Sequence, residues 1–299
     1  MRDTNPAVTA TSVVDLRAAS LVVPLDGTSD ATAALPVARE LALIEGATLH
    51  IVHVSAEHLT TADMAAHLRL GPEHLAGTVL DARTGPPAQG IVDLARDLGS
   101  RLIVMSTRTG RVPEQGALGD VTREVLRRTP CPVVLVSPDR AAAPWTIRQI
   151  LLPHDGIPTT AAAIARAADL AARAHAELAV LHIASTGPPR AGERGGFATP
   201  RYLDQPQHEW PNWAREFMDR LTALGGPPPN ARMRLFFAAG DPAHAIAEFV
   251  AEHHTDLIAI AWVPGWEPER RTTMRQVIEH APAPLLIFPS EEPERGMVF

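Results

Sequence analysis

The sequence predicts two doubly wound α/β domains in tandem. Three observations carry that prediction. Short runs rich in Val, Ile and Leu are bounded by Gly, Pro or Asp. They alternate with segments of helical spacing. The whole succession then occurs a second time within the 299 residues. Unbroken apolar runs separated by helical crossovers describe parallel strands buried on both faces, with helices covering each side of the sheet. The length suits two domains of common size better than one large core.

The elements follow in order. The first twenty residues contain aspartates and no sustained apolar segment. They read as a loose N-terminal arm rather than a secretory signal. "LVVPL" is the first strand, followed by Asp26-Gly27 and an alanine-rich helical stretch leading to "LHIVHV". "TVLDART", "RLIVM" and "VVLVS" supply three more strands. Between them, Pro86 and Pro87 follow a glycine and start the amphipathic "IVDLARDL", as proline does in a first helical turn.

After the proline-bearing joint "DRAAAPWT" the order repeats. Ser20 to Ser55 matches Gln149 to Ser185, Thr84 to Met105 matches Ala239 to Ile260, and Arg123 to Pro138 matches Arg275 to Pro289. The predicted domains span residues 19–139 and 146–290. The second half adds an insertion over 185–213 whose start is rich in Gly, Pro and Arg. Beyond it, Trp213, Phe217 and Leu221 recur at helical spacing and predict a stripe facing the core.

Composition sets the outer limits. The chain is 45% apolar and 20% charged, with a net charge of -7 spread along its length. No basic footprint for nucleic acid or an anionic membrane is present, and no apolar run approaches a bilayer span. A cytoplasmic protein is expected. The single cysteine, Cys131, excludes an intrachain disulfide and a multi-cysteine metal site, and "TPCPVVLV" places it at a core edge.

These pieces together resemble the universal stress protein family in its tandem, two-domain form. The resemblance rests on "VVPLDGT" and "LLPHDG" at the first strand of each half, "LHIVHV" and "LAVLHI" at the second, the Gly-x-Pro entry to the third helix, and the terminal "CPVVLV" and "APLLIF". It covers nearly the whole chain. It implies five-stranded parallel sheets of the adenine nucleotide alpha hydrolase-like kind. It also implies an intramolecular pseudo-dimer, with "VVLVS" alongside "LLIFP".

Many members of that family bind ATP at the carboxyl ends of the strands, where open α/β sheets favour ligands. By resemblance, Asp26 and Asp155 approach base and ribose, and Val54 and Ile183 meet adenine. The family's triphosphate loop reads Gly, two residues, Gly, nine residues, Gly, then Ser or Thr. Glycine lets the backbone approach phosphate, and the hydroxyl donates to it at a helix N-terminus.

The loop Met105 to Asp120, "MSTRTGRVPEQGALGD", departs from this pattern. In one register only Gly119 survives. Sliding by one residue recovers Gly110 but leaves eight residues before Gly119. Either way Asp120 takes the hydroxyl position. An ionised carboxylate cannot donate, and two like charges about 4 Å apart at an effective dielectric near 20 repel by roughly 4 kcal/mol. A quarter of that would weaken ATP several-fold. Aspartate there is also expected to cap the helix, and magnesium offers a bridge to phosphate. In the second half Arg271 stands opposite Gly119 and Thr272 opposite Asp120. Trp262 or Trp266 is read as packing the sheet end, with stacking on a base as the other reading.

Other constellations point elsewhere than to chemistry. "HIVHV" puts His50 and His53 on opposite strand faces, no His-Glu-x-x-His exists, and His253-His254 sits at a helix end, so no metal is expected. No Gly-x-Ser-x-Gly elbow accompanies His154-Asp155, so no nucleophile is assigned. The expected function is non-catalytic, stress-related binding and regulation without a firmly held cofactor. Two alternatives stay open. One is an ATP-binding switch with slow hydrolysis that uses Asp26, Val54, Gly110, Gly119 and Thr122 with magnesium. The other is a different small-molecule ligand in the second cleft, among Asp155, Ile183, Arg271 and Thr272. Partners are otherwise internal domain pairing, with a homodimer left open.

Overall fold

The computed structural model describes residues 19–107, 118–140, 144–154, 161–184, 206–262 and 268–289. The joint at 141–143, the insertion at 185–205 and the loop at 263–267 lie outside them.

The first half runs β1 (Ala19–Pro24), α1 (Ser29–Thr32), α2 (Ala34–Glu45), β2 (Ala47–Ser55), α3 (Thr61–His67), α4 (Pro72–Leu75), β3 (Thr78–Thr84), α5 (Pro87–Asp97), β4 (Leu102–Ser106), α6 (Asp120–Arg128) and β5 (Val133–Val136). The second runs β6 (Gln149–Pro153), α7 (Ala161–Arg173), β7 (Glu177–Ala184), α8 (Pro206–Gly225), β8 (Arg232–Ala239), α9 (Pro242–His253), β9 (Leu257–Trp262), α10 (Pro268–His280) and β10 (Leu285–Pro289).

All ten strands share one sheet in the order β3-β2-β1-β4-β5-β10-β9-β6-β7-β8. Pairing is parallel within each half. At the seam β5 and β10 run antiparallel, with Val134 opposite Leu286 and Val133 opposite Ile287. This is the expected pairing of "VVLVS" with "LLIFP", and it makes the duplication a single folded unit. Because Val, Leu and Ile fill both strands, the seam is as dry as a domain core: Val133, Val134, Leu286 and Ile287 are all buried.

Side chains alternate across the sheet, so two apolar layers form and each crosses the seam. One packs Leu21, Leu41 and Ile51 with Ile164, Leu170 and Phe217. The other packs Val22, Ile91 and Val125 with Phe249, Ile258 and Val277. Trp213, Phe217 and Leu221 all face the core from α8, as their spacing predicts. His50 and His53 fall on opposite faces: His50 pairs with Asp81 at 2.8 Å, while His53 is buried on the other side. Pro86 and Asp241 cap α5 and α9 with proline in the first turn. His254 closes α9 in the left-handed region, its N–H donating to Val250 O. Among the described residues no helix is long and apolar enough to cross a membrane.

Candidate functional site

In each half the chain leaves the first strand one way toward β2 or β7 and returns on the other side as β4 or β9. Such a reversal opens a crevice at the carboxyl ends of the strands. In the first half it holds a cleft of about 310 Å³ lined by Leu25, Asp26, Val52, Val54 and Met105 from the strand ends, with Gly119, Asp120 and Thr122 from the head of α6.

One side of the cleft is a fixed turn. Leu25 N donates to Val52 O at 2.9 Å, and His53 Nδ1 donates to Leu25 O at 2.8 Å. The chain then turns at Gly27, φ +88°, a value that glycine adopts without strain. A Cβ there would also lie 3.2 Å from His67 Nε2. Asp26 Oδ1 accepts from Thr28 N at 3.0 Å and from Thr28 Oγ1 at 2.6 Å, and Thr28 Oγ1 accepts from Ala31 N at 3.3 Å. The predicted Asp26-Gly27 turn is present, with the exposed carboxylate at the cleft.

Another part of the lining is apolar. Val54 stands one residue before the end of β2, and α5 passes over it at Gly90, where a Cβ would come within 2.9 Å of Val54 Cγ2. A glycine inside a helix costs about 1 kcal/mol relative to alanine, and here it admits close approach of helix and strand. Ile91 and Met105 complete this wall, and Thr107 and Ser106 add hydroxyls. Ile91, Met105, Thr107 and Asp30 line the cleft and Gly90 packs behind its Val54, and sequence reasoning missed all five. Only Gly90, an interruption within a helical run, carried a signal that pointed to it.

The head of α6 corrects one expectation. Asp120 does not cap the helix: Gly119 is the N-cap, in an extended conformation at φ -60°, ψ 157°, and Asp120 is the first helical residue. Its carboxylate still meets the positive end of the helix. Arg123 Nη1 donates to Asp120 Oδ1 at 2.8 Å, and Arg123 Nη2 donates to Leu118 O at 3.0 Å. The Asp120 side chain is 97% exposed, so water screens it. At 4 Å the repulsion of a unit charge is then about 1 kcal/mol rather than 4.

The remaining site residues are placed unevenly. Gly110 and Asp155 lie outside the described residues. Ile183 is the last residue but one of β7, as Val54 is of β2. Arg271 and Thr272 lie inside α10, which begins at Pro268, so the exposed Thr272 hydroxyl stands in the second turn and not at a helix head. No cluster of metal-ligating side chains occurs among the described residues. Cys131 is buried, and burial pushes its thiol up to about 11 against weaker opposing effects of Thr129 and Arg166.

The family model described as "Universal stress protein family" matches residues 19–137 and 146–289. A universal stress protein from Archaeoglobus fulgidus DSM 4304 superposes with a TM-score of 0.63 at 16% identity, covering 91% of this chain and 99% of its own. A candidate universal stress protein from Pseudomonas aeruginosa UCBPP-PA14 gives 0.61 at 17% identity, covering 92% and 94%. A universal stress protein from Archaeoglobus fulgidus in complex with dAMP gives 0.30 at 21% identity, covering 39% of this chain and 96% of its own. Among curated proteins, none matches.

Proposed function

The chain belongs to the universal stress protein family, and we propose that it acts there as a non-catalytic binding and regulatory protein in stress response. Its first cleft receives a small molecule, and its phosphate loop holds a triphosphate poorly. The single observation behind this reading is Asp120 at the head of α6, on the cleft lining and paired with Arg123. A carboxylate occupies the place where a phosphate would need a donor. The nearby cation is engaged by that carboxylate and by the Leu118 carbonyl.

The remainder of the cleft suits a flat apolar group with a polar edge. Val52, Val54, Ile91 and Met105 offer the wall, and Asp26 lines the same cleft. Clefts of a few hundred Å³ with apolar walls and few polar groups are the ordinary form of small-molecule sites. The site thus keeps its base and sugar portion and changes its phosphate portion. A competing reading, an ATP switch with slow hydrolysis, draws on Gly119 at the N-cap and the buried Thr122 beside it.

Calorimetric titration with adenosine and with Mg-ATP, joined to a phosphate-release assay, separates the two. The proposed function expects adenosine to bind at least as tightly as Mg-ATP, without phosphate release. Mg-ATP binding more than tenfold tighter than adenosine, or steady turnover, would contradict it.

A further inference from the structure

The duplication supplies an internal comparison of the two clefts. Strand register fixes the correspondence: Leu21 pairs with Leu102 as Ile150 pairs with Leu257, so Thr107 corresponds to Trp262. Pro24 pairs with Val52 as Pro153 pairs with Leu181, so Val54 corresponds to Ile183. Alignment of α5 with α9 from their proline starts places Ala245 where Gly90 stands.

Every one of these changes adds apolar volume at the strand ends. Thr107 lines the first cleft, whereas Trp262 is partly buried and packs against the apolar layer that Ile183 also packs on. Gly90 leaves Val54 its room, whereas the matching Ala245 carries a Cβ and is buried, and Ile183 is larger than Val54. Thr122, in the first cleft, is matched through α6 and α10 by Met274, which is buried in that same layer. An indole has the bulk of a ligand base, and a tryptophan buries roughly 150–250 Å².

We infer that the second cleft is filled by the chain's own Trp262, seated where the first cleft leaves space for a ligand, so that the protein takes one small molecule per chain and takes it in the first half. The second crevice then serves as core. Its indole substitutes for a ligand that the first half must capture from solution. The statement about one ligand per chain rests on the proposed binding function of the first cleft; the filling of the second does not.

Trp262→Ala tests the filling directly. A seated indole leaves a cavity when truncated, and such apolar cavities accept small aromatic molecules. The variant should melt several degrees below the unaltered protein, and millimolar indole should restore part of the loss while leaving the unaltered protein unmoved. A variant that melts with the unaltered protein overturns the inference, as does one that melts lower but gains nothing from indole.

The reciprocal Thr107→Trp should abolish adenosine binding in the first cleft with little change in melting. Adenosine binding to Thr107→Trp as tight as to the unaltered protein also counts against the inference. Failure of adenosine to bind the unaltered protein contradicts the proposed function instead, and the indole rescue still decides the filling of the second cleft.

Discussion

His53 Nδ1 stands 2.8 Å from the carbonyl oxygen of Leu25, and His182 Nδ1 stands 3.3 Å from that of His154 at the matching place in the second half. The same histidine therefore ties the end of the first strand in each repeat. In the first half that tie positions the turn bearing Asp26. His53→Ala leaves a carbonyl of the buried Leu25 without its donor, which costs about 1 to 3 kcal/mol. Urea denaturation should show a loss of that size, and adenosine affinity should fall with it.

Glu45 joins the halves. Its carboxylate is only 10% exposed and meets Arg101 Nη1 at 3.0 Å and Arg173 Nη1 at 3.4 Å, the first from its own half and the second from α7. Both arginines are more than a third exposed, so the full cost of breaking a buried pair does not apply. Glu45→Gln should lower stability by about 1 to 2 kcal/mol in urea denaturation. Arg173→Met should lose less, because Arg101 still compensates the carboxylate.

Cys131 gives a pH dependence with a definite sign. Burial raises its thiol from 9.0 to about 11. The folded state thus holds a proton that the unfolded chain releases. That contribution is intact below pH 9 and is lost as pH rises from 9 through 11, amounting to less than about 3 kcal/mol. Cys131→Ala should flatten this part of the stability profile. At pH 8 the native thiol should react with alkylating reagents far more slowly than the denatured one.

Most of the fold was legible because it is written twice. Strand runs such as "LVVPL" and "QILLP", the proline starts of α5 and α9, and the stripe Trp213, Phe217 and Leu221 each carry a local signal that packing reinforces. The short α3 and α4 were not legible, since Thr61–His67 and Pro72–Leu75 are too brief for a period to show. At the cleft, Asp26 and Val54 were found through their places in a repeated motif. Ile91, Met105 and Thr107 were not, because an apolar or hydroxyl side chain at a strand end looks the same whether it faces core or crevice. The cap of α6 was misjudged by one residue: Gly119 and Asp120 are both good caps, and only the backbone angles separate them. Thr272, opposite Asp120 by alignment, lies in the second turn of α10, which starts at Pro268, a boundary that the alignment did not carry.

The carboxylate at residue 120 is tested most directly by melting the protein with and without millimolar Mg-ATP, beside Asp120→Ser. A ligand at about 100 times its dissociation constant adds roughly 2.7 kcal/mol of stability. The substitution removes the repelling charge, supplies a donor and releases Arg123 from its 2.8 Å contact. The account predicts no resolved upshift for the unaltered protein and a clear one for Asp120→Ser. An upshift in the unaltered protein equal to that of the variant would contradict it.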